Sequence, residues 1–233
     1  REGIYRERVL LNQSGTEDNY ITLTNYPDEV PVIDGEGIYW GFDWDCLFNL
    51  NSQDFIKISG LRVINSCWAG IGSTPDMNGC QNVIIQGCST YNTASSGIAF
   101  FTGKNIIIDG NTVEMACCRF DGSQECISLC GVDSFEIKNN HIFNCINDSI
   151  GGGGEGINIK NGCSNGLIRN NVVHDVLKVA IYIDAYEKHQ SNIEVRENIV
   201  YNAPNGVVLA AENGGGLDNV TVSRNFVFDC ADW

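Results

Sequence analysis

Ten residues, Asn192–Tyr201 (NIEVRENIVY), are written several times along this chain. Ser134–Phe143 (SFEIKNNHIF) and Asn219–Phe228 (NVTVSRNFVF) repeat the pattern closely, and Asn105–Val113 (NIIIDGNTV) and Gly166–His174 (GLIRNNVVH) more loosely. Alignment of the copies yields a column of Leu61, Cys88, Asn111, Asn140, Asn171, Asn198 and Asn225, separated by 27, 23, 29, 31, 27 and 27 residues. A unit of that size cannot bury an apolar face alone. A period in the twenties built on short β-type runs therefore implies a stacked solenoid.

The flanking columns give the direction of the side chains. Three residues before the ladder stand Ile108, Ile137, Ile168, Val195 and Val222; two after it stand Val113, Ile142, Val173, Val200 and Val227. Polar residues fill most places between. Period-2 alternation of β-branched residues is a strand signal, with no 3.6-residue period to compete. Asparagine tolerates the left-handed region and marks a corner. Stacked once per coil, its amides are placed to bond to each other along the axis. The expectation is an all-β chain: one single-stranded right-handed parallel β-helix of roughly eight coils, a single domain spanning 1–233, with 1–37 as its N-terminal coil.

Charge and cysteine bound the partners. A net charge of −15, from 29 acidic and 14 basic residues, argues against nucleic acid and anionic membrane surfaces. It also argues against acidic polysaccharides unless a divalent cation bridges them. No apolar run approaches the ~18 residues of a membrane span. Eleven cysteines without a CxxC pair favour disulfides over zinc, hence secretion into an oxidising compartment. The first bridge expected joins Cys117 or Cys118 to Cys145, near the same slot on successive coils. Asn12, Asn147 and Asn219 are glycosylation acceptors. Arg1 starts inside the first coil and neither end reads as a cap, so a segment of a longer chain, self-assembling into a rod or fibre, is expected.

The run Gly3-Ile4-Tyr5-Arg6-Glu7, then Ser14-Gly15-Thr16, then Pro31-Val32-Ile33-Asp34-Gly35 resembles the N-terminal coil of secreted right-handed β-helix proteins. These include the family 9 pectate lyases and the related alginate and chondroitin lyases. The resemblance implies the fold and a glycan lying along one outer face. It also implies a lysine base in a strand reading roughly Asp-Gly-Phe-Lys, beside calcium held by aspartates.

Here the chain departs from that pattern. The nearest match is Glu155-Gly156-Ile157-Asn158, with asparagine at the place of the base, and the preceding coil offers Glu125-Cys126-Ile127-Ser128. Asparagine cannot abstract a proton, and serine is a poor calcium ligand beside a carboxylate. In GINIK, Ile157 and Ile159 point inward, so Asn158 and Lys160 point outward; the same parity puts Tyr182 and Asp184 on that face. These four are the carbohydrate-binding candidates. Lys160, with Asp184 one coil away, is the one catalytic candidate, although a lysine beside a carboxylate keeps its proton. Glu125 and Glu155, about one strand spacing apart, have the separation of a retaining glycosidase pair, but read more simply as corner residues. No cofactor is required; the candidate calcium ligands are Asp43 and Asp45. Tyr39, Trp40 and Trp44 are placed either to stack on sugar or to cover the early coils, and His141, His174 and His189 look scattered. Three readings follow: an extracellular structural module, a calcium-dependent lyase acting on acidic polysaccharide, and a non-catalytic glycan-binding module.

Overall fold

A computed structural model describes residues 1–39, 45–75, 78–118, 124–145 and 153–230. Every pairing between its strands is parallel, and the rungs stack as a β-solenoid of about eight turns. One face is a nine-stranded sheet of short strands, running from Gly3–Tyr5 through Pro31–Asp34 and His141–Phe143 to Phe226–Phe228. The other two faces merge into a fourteen-stranded sheet, because Ile98–Asp109 and Glu125–Lys138 each run unbroken across both. On later coils the same path is split, as in Glu155–Lys160 followed by Ser164–Arg169.

The register is the one the columns predict. Ile108, Ile137, Ile168, Val195 and Val222 pair in sequence across successive strands, as do Val113, Ile142, Val173, Val200 and Val227. Both stacks feed one continuous core in which all but the last coil are buried. A one-residue slip would turn each stack to solvent, which fixes the pairing.

Asn111, Asn140, Asn171, Asn198 and Asn225 form the expected ladder. Each backbone N–H and each amide donates to the next asparagine's Oδ1 at 2.9–3.0 Å. The second amide hydrogen goes back to a carbonyl of the preceding coil, as from Asn171 to Ile137 O at 3.0 Å. The corner itself differs from expectation. The left-handed residue is the one before the ladder: Gly110, Asn139, Asn170, Glu197 and Arg224, with φ between 53° and 65°. The ladder asparagine is thus freed to point inward. A second, exposed ladder runs along another corner, where Asn192 and Asn219 are themselves left-handed and Asn219 Nδ2 donates to Asn192 Oδ1 at 2.8 Å.

Strand alternation breaks where two faces meet. Cys126 and Ile127 both enter the core, and a Cβ on Gly156 would press on core residue Val173. Two successive inward residues mark a bend, and the residue before it, Glu125 or Glu155, is turned to the outer face.

All eleven cysteines stand as free thiols in this structure. Cys117 and Cys145 both lie against Cys126, while Cys117 Sγ donates to Gln124 O at 3.2 Å and Cys145 Sγ to Phe143 O at 3.4 Å. Cys118 turns away, its Sγ 3.1 Å from Thr93 O. Burial pushes the Cys126 thiol well above its ordinary pKa, so Cys126 stays protonated and unreactive toward weak oxidants.

Candidate functional site

Four coils supply the walls of a groove of about 320 Å³ on the outer face of the long sheet. Its lining is Glu125, Glu155, Asn158, Lys160, Asn161, Tyr182, Asp184, Tyr186 and Glu212. Rung pairing explains the placement: Ser128, Asn158 and Tyr182 are register partners, as are Cys130, Lys160 and Asp184. All four carbohydrate-binding candidates, Asn158, Lys160, Tyr182 and Asp184, are therefore brought together.

The floor is a hydrogen-bonded cluster around Glu125. Its Oε1 accepts from Lys160 Nζ at 2.6 Å and Asn158 Nδ2 at 3.4 Å, and its Oε2 from Ser128 Oγ at 2.7 Å. Sequence placed Lys160 beside Asp184; the 2.6 Å ion pair is with Glu125 on the preceding coil, with 14% and 3% of the two side chains exposed. Burial works against the ammonium charge, but Glu125 overrides it and holds the Lys160 pKa above its ordinary value. A lysine in that state is a fixed cation and not a proton acceptor.

The remaining carboxyls are shifted the other way. Burial first, and the Glu125 charge second, raise Glu155 to about 7. Burial first, and Glu212 second, raise Asp184 to about 6. Tyr182 donates to Glu212 Oε1 at 2.6 Å, and burial together with that bond pushes its phenol up. Three buried acceptor oxygens lining the groove have no hydrogen-bond partner: Glu155 Oε2, Asn158 Oδ1 and Asp184 Oδ1. Buried polar atoms are nearly always paired, so these three mark the least satisfied polar part of the groove.

Glu212 and Tyr186 carry no repeat signature; they sit after the strand columns, in segments that vary from coil to coil. Glu125 and Glu155 are visible in sequence, but strict alternation does not reveal that the bend delivers them to the groove.

Other candidates lie elsewhere. Asp45 is buried and fully engaged, its Oδ1 accepting from Asn49 Nδ2 at 2.6 Å and Cys46 N at 2.7 Å and its Oδ2 ion-paired with Arg8. That leaves it unsuited to calcium. Asp43, Trp40, Trp44 and Asn147 lie outside the described residues. Among the described residues, no three His, Cys, Asp or Glu side chains are grouped to hold a metal ion, and no helix is long and apolar enough to cross a membrane. Tyr39 is strongly exposed, as are Asn12 and Asn219. Two histidines are not scattered after all: His141 Nε2 and His174 Nε2 are 2.8 Å apart, and His174 Nδ1 is 2.6 Å from Asp175 Oδ2. They belong to a stack of rings, Phe143, His174, Tyr201 and Phe228, on the nine-stranded face.

Residues 45–231 match the family described as "Right handed beta helix region". The chain belongs to that right-handed β-helix family. No curated protein matches it. Among solved structures, it is similar to pectate lyase Pel9A (TM-score 0.54, 14% identity, 97% of this chain and 68% of that one). It is also similar to the tailspike of E. coli bacteriophage HK620 in complex with a pentasaccharide (0.58, 14%, 89% and 44%). A third likeness is the GH136 lacto-N-biosidase from Eubacterium ramulus (0.51, 13%, 96% and 60%). This right-handed β-helix thus spans less than half of the tailspike and about two thirds of the lyase. At these identities the likenesses establish the fold.

Proposed function

We propose that this β-helix is a secreted, carbohydrate-binding protein that holds a neutral glycan in the groove of Asn158, Lys160, Tyr182 and Asp184. The observation that carries this reading is the set of three buried, unpartnered acceptors in one cleft. A sugar presents many hydroxyl donors at spaced positions, which suits acceptors that do not converge on one point as metal ligands do. The two tyrosines add apolar faces with polar tips. Charge selects among glycans. Four carboxyls line the groove against Lys160, whose charge is already matched by Glu125, so a polyuronate would meet net repulsion. Binding is favoured over lyase chemistry on a second count: elimination needs a free base near the sugar C5, whereas the Glu125 ion pair favours the protonated form of Lys160. The HK620 tailspike, similar in fold, is in complex with a pentasaccharide, which supports a glycan as the ligand.

Calorimetry against panels of neutral and acidic oligosaccharides tests the reading. Neutral chains should bind, and Asn158→Ala and Tyr182→Ala should each weaken binding about tenfold, the worth of one good hydrogen bond or ring contact. Preference for polygalacturonate or alginate, release of unsaturated products from either, or no glycan binding at all, would reject it.

A further inference from the structure

We propose that His141 and His174 form a binding site for a divalent transition-metal ion of the zinc class, held by one nitrogen of each imidazole. The site lies on the nine-stranded face and is independent of the groove.

Strand register brings the two rings together. His141 opens the strand His141–Phe143 and pairs with Val172, so His174, two residues on, stands on the same outer face of the next rung. Phe143 lies beside both rings, its centroid 4.3 Å from that of His141 and 5.4 Å from that of His174. Tyr201, from the following coil, stacks on His174 at 4.4 Å. Asn140 and Asn171, which immediately precede these strands, are joined in the buried ladder. The rings therefore stand on rungs whose spacing is fixed.

Hydrogen bonding determines which nitrogens are available. A carboxylate only accepts, so His174 Nδ1, 2.6 Å from Asp175 Oδ2, carries a proton and donates it. The neutral ring then keeps its lone pair on Nε2, which faces His141 Nε2 at 2.8 Å. Asp175 is itself held, its Oδ1 accepting from Asn202 Nδ2. A carboxylate on the far nitrogen of an imidazole is the outer support that metal-bound histidines usually have. Burial, and then His174, lower the His141 pKa against the opposing charge of Glu114, so this ring is neutral in neutral solution. In the metal-free chain the proton on His141 Nε2 occupies the place between the rings. Shifting it to Nδ1 aims a second lone pair at the same point.

The distances suit an ion there. Two nitrogens bound to one zinc at about 2.0–2.1 Å lie about 3.3 Å apart in a tetrahedron. The present 2.8 Å is short of that by a few tenths of an ångström, which a pivot of the exposed His141 ring supplies. Imidazole pairs select transition ions over calcium and magnesium, which take oxygen ligands. Among the described residues no third His, Cys, Asp or Glu completes a metal cluster, so water fills the remaining positions. The net charge of −15 favours the approach of a cation.

The test titrates ZnCl2 into the metal-free, untagged full chain, followed by calorimetry and by the ring resonances of its three histidines in NMR. One ion should bind, shifting two sets of ring resonances and leaving that of His189 in place, and CaCl2 should shift none. His141→Ala and His174→Gln should each weaken zinc binding at least tenfold, and Asp175→Asn, which touches only the outer support, about tenfold. The exposed His141 can be truncated without unfolding the chain, which circular dichroism of His141→Ala should confirm. Zinc bound with unchanged affinity by His141→Ala is held elsewhere, by thiols or His189, and overturns the proposal. Equal shifts of all three histidines would also overturn it, as would absence of zinc binding, which leaves the pair a simple imidazole–imidazole hydrogen bond.

Discussion

Two asparagines of this chain make similar-looking ladders and should differ widely in what they contribute. Asn171 is fully buried. Its Oδ1 accepts from Asn140 N at 3.0 Å and Asn140 Nδ2 at 2.9 Å, and its Nδ2 donates to Ile137 O and Asn198 Oδ1 at 3.0 Å. Replacing it with alanine strands two donors of Asn140 in a dry interior, each costing about 1–3 kcal/mol, for a total near ~4 kcal/mol. Against a typical stability of about 5–15 kcal/mol, that is enough to unfold a marginal domain. Asn219 makes one bond, to Asn192 Oδ1 at 2.8 Å, where water replaces it readily. Asn219→Gly keeps the left-handed backbone accessible and should cost within about 0.5 kcal/mol. Urea unfolding followed by far-ultraviolet circular dichroism gives both shifts. Equal costs for the two variants, or a loss below about 1 kcal/mol for Asn171→Ala, would refute the argument that burial makes the inner ladder matter.

Gly166 offers a packing test: a Cβ there would land in the Phe135 ring, so Gly166→Ala should destabilise by about 1–3 kcal/mol through overpacking. Adding Phe135→Leu should recover much of that loss, measured as a coupling energy in a double-mutant cycle. Glu155 offers a pH test. Its folded pKa of about 7 lies above the ordinary 4.5, so between those values the folded chain retains a proton that the unfolded chain has released. Stability from this group is therefore fully present at low pH, falls as pH rises through that window by on the order of 3 kcal/mol, and is level above it. Subtracting the denaturation profile of Glu155→Gln from that of wild type should isolate this slope; a flat difference would remove the raised pKa.

The ladder and the core were legible because each is a column: one asparagine, one isoleucine or valine, repeated at a nearly constant step. Asn158, Lys160, Tyr182 and Asp184 were legible for the same reason, since rung register transfers parity from coil to coil. Glu125 and Glu155 are corner residues as the sequence suggests, but that the corner turns them into the groove is not legible, because Cys126 and Gly156 interrupt the alternation and such a bend depends on how two faces meet. Glu212 follows the last column in a segment that matches no other coil, so periodicity is silent about it. The thiol cluster was half legible. Sequence points to Cys117 or Cys118 with Cys145, yet Cys126, which begins the same coil as Cys145, packs against both Cys117 and Cys145.

The groove is built one rung at a time, with Glu125 from one coil, Asn158 and Lys160 from the next, Tyr182 and Asp184 from a third and Glu212 just past a fourth. Each rung touches its immediate neighbours at about 4.8 Å and is spliced to them by the same asparagine joint. Duplication or loss of one 27-residue unit, the commonest step of the repeat, would leave every joint intact while inserting or deleting a single stripe of outward side chains. Such a lineage can lengthen or shorten the groove by slippage within its own gene, with the hydrophobic interior unaware of the change.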